Sequence, residues 1–185
     1  MKRALFLDFE DSFTYNLIQE IEEIGISVQV INWEKFTGQE KADLLILGPG
    51  PGHPDDYSAI FDKIEIWLGD GKKIFAVCLG HQIVWKLKDF EIIPSVRPIH
   101  GQSVELPISQ DVENWINLKG PLKVQRYNSL AVKYSMFMDL ELQIIDGDEL
   151  MLAKSSQIIS YQFHPESMGT NCRKSFFIPI LKDLL

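Results

Sequence analysis

The chain is poor in cysteine. Only Cys78 and Cys172 occur among its 185 residues, and neither stands in a C-x-x-C pair. Two thiols so far apart suggest neither a disulfide framework nor a zinc site. Long apolar runs are also missing, since nothing approaches the roughly 18 apolar residues of a membrane span. The opening "MKRALFLDFEDSF" meets an acidic residue at Asp8, too soon for the apolar stretch of a secretory signal. Basic charge is scarce, with 18 Lys and Arg against 26 Asp and Glu and a net charge of −8. A nucleic-acid binder needs a basic stripe to neutralise phosphates, so this balance argues against that class. The acidity serves solubility and does not bar anionic substrates, which respond to local charge. There is no internal repeat, no low-complexity tract and no convincing linker. With 45% hydrophobic and 24% charged residues, the expectation is one globular domain over residues 1–185, in a reducing cytosol and away from membranes.

What is present is an alternation of short apolar runs and helical patterns. "ALFLDF" (4–9) reads as a buried strand. In "DSFTYNLIQEIEEIG", Leu17, Ile18, Ile21 and Ile24 recur at helical spacing, with Asp11 or Ser12 as candidate N-cap and Gly25 as the stop. "SVQVIN" (27–32) and "ADLLILG" (42–48) are further strands. "PGPGHPDD" is irregular by composition. "SAIFDKIEIWLGDG" (58–71) predicts an amphipathic helix, "KKIFAVC" (72–78) a fourth strand, and "LGHQIVWKLK" a helix directly after it. Such alternation implies a parallel sheet covered on both faces. Beyond about residue 90, "EIIPS", "QSVELPI", "LKVQRY", "LQIID", "MLAKS" and "IISYQFH" look like antiparallel additions to the same sheet. "CRKSFFIPILKDLL" predicts a closing helix.

Three chemically loaded segments fall at predicted strand ends, where ligands bind in open α/β sheets: "GPGPGHP" (48–54), "CLGHQ" (78–82) and "FHPES" (163–167). Cys78 stands where a strand turns straight into a helix, so backbone N–H groups point toward its sulfur and favour a thiolate or an oxyanion. The pattern resembles a G-x-S-x-G nucleophile elbow with sulfur for oxygen, although Ala76 stands at the first glycine and only Gly80 keeps the second. Taken alone, a cysteine in apolar surroundings is more often an inert core residue. A thiol needs a base and the base an orienting group, and "HPE" supplies His164 and Glu166 on the same side of an extended segment. His81 is a competing base in the first turn of the helix, while His53 and His100 lack an acidic neighbour at useful spacing. The glycines at 48, 50 and 52 fit neither G-x-x-x-x-G-K-[ST] nor G-x-G-x-x-G, so the loop is not a phosphate cradle. Bare backbone amides there suit close approach to a small ligand, or simply a tight turn.

Together "GPGPGHP", "VCLGHQ" and "QFHPES" resemble the class I (triad) glutamine amidotransferases. "DSFTYNL" and "HG" at 100–101 narrow the resemblance to the glutaminase subunit of anthranilate synthase and aminodeoxychorismate synthase. It runs from residue 4 to about residue 168, with the motifs in family order. It implies a flavodoxin-like α/β fold, an open and mostly parallel sheet with helices on both faces and antiparallel strands in the C-terminal half. It further implies a Cys78 nucleophile, His164 as general base and acid, and Glu166 orienting His164. Oxyanion donors would be the backbone at Leu79 and Gly50. Gly50, Gly52, Gln82, Ser129 and Leu130 would line the L-glutamine site. Ammonia would pass to a chorismate-binding synthase subunit, and no metal or organic cofactor is implied.

Several positions depart from the family pattern. Ala76 stands for a glycine, Asn128 for the histidine of Y-H-S-L and Gln102 for the lysine of H-G-K. Trp85, Asp89 and Phe90 stand where the helix after "GHQ" usually carries glycines, which implies a remodelled helix end. The run after "HPES" reads "MGTNC". None of these is the Cys, His or Glu. They leave open a regulatory or binding homologue with weakened catalysis, or a γ-glutamyl hydrolase that works without a partner.

Overall fold

The computed structural model describes residues 2–118 and 120–185. Strand β1 (Arg3–Asp8) leads through a turn to helix α1 (Thr14–Glu23) and strand β2 (Ser27–Asn32). The helix starts later than Asp11 or Ser12 would suggest. Asp11 Oδ1 instead accepts the Phe13 N–H at 2.8 Å in a local turn, and Thr14 opens the helix. Thr14, Leu17, Ile18 and Ile21 form its buried stripe, and Gly25 ends it at φ +88°. Strand β3 (Leu44–Leu47) follows, then a tight 3-10 segment (Pro54–Ile60) that continues into α2 (Phe61–Gly69). The helix expected over 58–71 thus begins as 3-10 and is α-helical over Phe61–Gly69, with the non-helical Tyr57 just before it. Strand β4 (Lys73–Val77) and helix α3 (Leu79–Leu87) complete this half.

The C-terminal half holds β5 (Ile92–Pro94), β6 (Gln102–Leu106), α4 (Gln110–Ile116), β7 (Leu122–Arg126), β8 (Leu130–Val132), β9 (Leu142–Asp146), β10 (Glu149–Lys154), β11 (Ile158–Tyr161) and α5 (Lys174–Pro179). A π-helical stretch over Ile180–Leu184 extends α5, the closing helix the sequence predicts. The main sheet has seven strands in the order β2-β1-β3-β4-β11-β10-β9. The first five run parallel, and β10 is reversed, pairing antiparallel with both β11 and the edge strand β9. The expectation that every later strand joins this sheet is corrected. β5 pairs with β8, and β6 with β7, in two separate two-stranded sheets.

Alternation along the central strands divides the core. Ala4, Phe6, Leu44, Ile46, Phe75 and Val77 face α1, α4 and α5. Leu5, Leu7, Leu45, Leu47, Ile74 and Ala76 face α2 and α3. Strands buried on both faces read as continuous apolar runs, and each buried Leu, Ile or Phe contributes about 1.5–3 kcal/mol. At the end of α3, Asp89 and Phe90 both have defined roles. Asp89 takes the left-handed conformation (φ 64°), a role usually given to glycine, and Phe90 folds back edge-on against Trp85.

Candidate active site

Cys78 follows the last residue of β4 and caps α3 with φ 55° and ψ −105°. That conformation is costly for an L-residue, about 1–3 kcal/mol, and persists only when the surroundings over-determine it. They do so through the backbone. Cys78 N–H donates to the Tyr161 carbonyl at 2.8 Å, prolonging the β4–β11 pairing, and Gly80 N–H donates to the Gly48 carbonyl at 3.1 Å. A Cβ on Gly80 would collide with the backbone of Leu47, so only glycine lets α3 approach β3 this closely. The Gly80 amide is therefore engaged, whereas the Leu79 amide belongs to those a helix start leaves without an intrahelical partner. Gly50 lies across the gap, where a Cβ would meet the Leu79 side chain and Phe9.

Residues 162–167 leave β11, the neighbour of β4, and bring His164 to the thiol. His164 Nδ1 lies 2.6 Å from Glu166 Oε1, with both side chains buried. Because that nitrogen donates to the carboxylate, Nε2 is left for the sulfur. Burial alone would lower the His164 pKa. The Cys78 sulfur, by charge and by hydrogen bond, together with Glu166, outweighs burial and raises it to about 10. The imidazole packs against both Phe13 and Tyr127, each with ring centres 5.0 Å away, the three rings forming a triangle. The segment is held by one backbone bridge, His164 N–H to the Gln125 carbonyl at 3.0 Å, and by side chains. Thr170 Oγ1 donates to the His164 carbonyl at 2.7 Å and accepts the Gln125 N–H at 2.9 Å, and Arg173 Nη1 donates to the Glu166 carbonyl.

A pocket of about 170 Å³ opens over the sulfur, lined by Gly50, Pro51, Gly52, Cys78, Leu79, Gln82 and residues 127–130. The structure thus brings together Cys78, Leu79, Gly50, Gly52, Gln82, Ser129 and Leu130, with His164 and Glu166 behind the thiol. Both Gln82 Nε2 hydrogens are taken, by the Leu130 carbonyl at 2.9 Å and Gln162 Oε1 at 3.1 Å. That leaves its amide oxygen to accept from a donor in the pocket. A larger hollow of about 400 Å³ lies beyond Tyr127, against α1 and the 166–174 segment. It does not include the sulfur.

The competing histidines are placed elsewhere. His81 is fully buried, and burial lowers its pKa to about 3. Trp85 Nε1–H donates to Ser160 Oγ at 3.0 Å, and the same Oγ shares a hydrogen bond with His81 Nδ1 at 2.9 Å. Trp85 is thereby built into the support of α3. His53 does meet acidic neighbours, contrary to the sequence expectation. Its Nδ1 accepts the Asp55 N–H while Asp56 accepts the His53 N–H, a reciprocal cap on the 3-10 segment.

Sequence reasoning missed Gln162, whose Nε2 lies 3.9 Å from the Cys78 sulfur. The signal was present, since it stands two residues before His164 in an extended run. It also missed Phe13, Arg126 and Thr170, which act across distances that spacing does not show.

Residues 5–182 match the family described as glutamine amidotransferase class-I. The anthranilate synthase component 2 of Cyanophora paradoxa is 37% identical over 180 residues, covering 92% of this chain and 93% of that protein. The aminodeoxychorismate/anthranilate synthase component 2 of Bacillus subtilis (strain 168) is 32% identical over 179 residues, covering 92% and 91%. A solved glutamine amidotransferase of Thermotoga maritima superposes with TM-score 0.72 at 15% identity, over 99% of this chain and 84% of the other. That likeness speaks for the fold alone. The family match and the two relatives together establish that the chain belongs to the class I glutamine amidotransferases.

Proposed function

We propose that this chain is the glutaminase subunit that supplies ammonia to a chorismate-utilising synthase, with Cys78, His164 and Glu166 as its catalytic triad. The observation that carries the reading is the pairing of Cys78 with a Glu166-tethered His164 at the floor of a pocket sized for one amino acid. The Cys78 thiolate attacks the side-chain carboxamide carbon of L-glutamine, forming a C–S bond. The carbonyl oxygen takes up the negative charge, facing the amides at Leu79 and Gly50. The His164 imidazolium gives its proton to the departing nitrogen, the C–N bond breaks, and ammonia leaves a γ-glutamyl thioester. Water, deprotonated by His164, then attacks the thioester and releases glutamate with the thiol restored. Glu166 holds His164 in the tautomer that serves the sulfur. The free Gln82 amide oxygen suits the substrate ammonium.

The partner is proposed from the component 2 relatives, whose names point to anthranilate and aminodeoxychorismate synthases. The two lone cysteines, without a disulfide framework, support a cytoplasmic setting for the pair. Mass spectrometry after treatment with the diazoketone analogue of L-glutamine tests the site, and the adduct belongs on Cys78. Cys78→Ser should abolish both labelling and glutamine hydrolysis in the complex, and normal hydrolysis after that change would sink the mechanism. Co-purification with candidate synthase subunits, followed by identification of the aromatic product, tests the partner.

A further inference from the structure

Arg126 and Glu149 are 0% and 3% exposed and form an ion pair of 2.6 Å well inside the molecule. Glu149 Oε1 also accepts the Ser95 hydroxyl and the Val96 N–H, both at 2.7 Å, and Ser95 Oγ accepts in turn from Arg126 Nη2 at 3.3 Å. Arg126 Nη1 reaches Asp146 at 3.4 Å. Stability is weak grounds for such a group, because well-packed apolar residues usually serve as well or better. What distinguishes this one is where its bonds lead.

Arg126 Nε donates to Asn128 Oδ1 at 3.0 Å, and Asn128 Nδ2 donates to the Leu130 carbonyl at 3.0 Å. The orientation of the Asn128 amide is forced, because a guanidinium only donates and a carbonyl only accepts. The Leu130 carbonyl takes its second hydrogen bond from Gln82 Nε2, which is tied to Gln162 and through it to the Cys78 sulfur. The preceding Ser129 carbonyl is held by the Ser95 N–H at 2.8 Å. In a trans peptide the carbonyl and the following amide point opposite ways. Tying the Ser129 carbonyl to Ser95 therefore turns the Leu130 N–H away from β5, toward the side where Gln82 lies. The buried pair thus grips, from behind, the peptide that edges the pocket over Cys78.

We propose that Arg126 and Glu149 anchor a relay through Asn128 that positions the Ser129–Leu130 edge of the pocket and so sets its affinity for glutamine. This deepens the glutaminase reading and rests on it. Arg126, Glu149 and Asn128 are positioning residues here. They act on binding through the Leu130 peptide and leave the chemistry of the thiol unchanged.

Asn128→Asp is the sharpest test, because a carboxylate still accepts from Arg126 but has no hydrogen for Leu130. Ser95→Ala, at the far end of the relay, is a milder change that does not touch the pocket. Purified wild type and variants are titrated with the diazoketone analogue of L-glutamine, following the rate of Cys78 labelling. A parallel reaction with iodoacetamide reads the thiol itself. The half-saturating concentration of the diazoketone should rise about tenfold in Asn128→Asp and about threefold in Ser95→Ala, in line with loss of a buried hydrogen bond. The maximal labelling rate and the iodoacetamide rate should hold within about twofold, since the thiol keeps its base and its backbone bonds. If wild type is labelled and both variants saturate at its concentration, the relay is overturned while the glutaminase reading stands. Iodoacetamide and diazoketone rates that fall together would mean a merely structural role, which also overturns it. A wild-type chain that the diazoketone does not label overturns the glutaminase reading itself, and the relay with it.

Discussion

The two sides of the site are built differently. On the side of the proposed nucleophile, Cys78 is placed by backbone. The strand β4, the helix α3 and the carbonyls of Tyr161 and Gly48 hold it at a strained φ, and apolar strands bury both flanks. On the base side, His164 and Glu166 lie in irregular chain beyond β11. They are fixed by the side chains of Thr170 and Arg173, a few residues on, and by the backbone of the distant Gln125, whose carbonyl accepts the His164 N–H. One side is a rigid consequence of the sheet, and the other is a lattice of separate polar contacts. Damage to the first should therefore be all-or-none, and damage to the second graded.

The greatest effect is expected at the point where the elbow has no slack. Gly80→Val places a branched side chain against the Leu47 backbone, which no rotamer relieves. The cost should exceed about 3 kcal/mol, with loss of the cooperative melt or a sharply lowered midpoint. A variant melting within a few degrees of wild type would show that α3 slides on β3, and the contrast would fail.

The strain at Cys78 is tested by two truncations. At an ordinary helix N-cap glycine already exceeds alanine by up to about 1 kcal/mol, and at φ 55° it also relaxes strain that alanine keeps. Cys78→Gly should be more stable than Cys78→Ala by about 2 kcal/mol in urea unfolding. Equal stabilities would mean that the elbow is not strained.

On the base side, Thr170→Val keeps shape and burial but removes the hydroxyl that joins the His164 carbonyl to Gln125. About 1–2 kcal/mol of stability should be lost while the fold survives. Collapse of the fold would place this segment in the same rigid class as the elbow.

The same difference explains what was legible beforehand. The strands "ALFLDF", "ADLLILG" and "KKIFAVC" and the amphipathic α1 could be read because each carries its burial pattern locally. Cys78, Gly80, His164 and Glu166 could be read because short motifs hold them. Helix α4 escaped notice because only Val112 and Ile116 are buried in "QDVENWI", too few to show a period. Strand β8, three residues long, offered no pattern either. The pairing of β5 with β8 and of β6 with β7, away from the main sheet, is set by tertiary packing, which short strand-like runs do not encode. Arg126 looked like one more charge in "LKVQRY", and only the arrival of Glu149, Ser95 and Asn128 around it shows what it holds.

The mildest expected effect concerns the charge on His164. Its folded-state pKa, near 10, lies above the ordinary value of about 6.5, so the folded protein binds this proton more tightly than the unfolded chain does. The resulting stabilisation is complete below about pH 6.5 and disappears as pH climbs through about 10. Glu166→Gln keeps an acceptor for Nδ1 but removes the carboxylate charge, one of the groups that raise this pKa. The His164 pKa should fall, and the variant should be less stable than wild type by about 1 kcal/mol at pH 6, since one pKa unit corresponds to about 1.4 kcal/mol. The gap should narrow as pH climbs through about 10 to about 11, where the imidazole is mostly neutral in both proteins and in both states. Urea titrations at the two pH values read it directly. A gap that stays constant or widens with pH would mean that Glu166 stabilises the fold by packing alone, and that the base side owes nothing to charge.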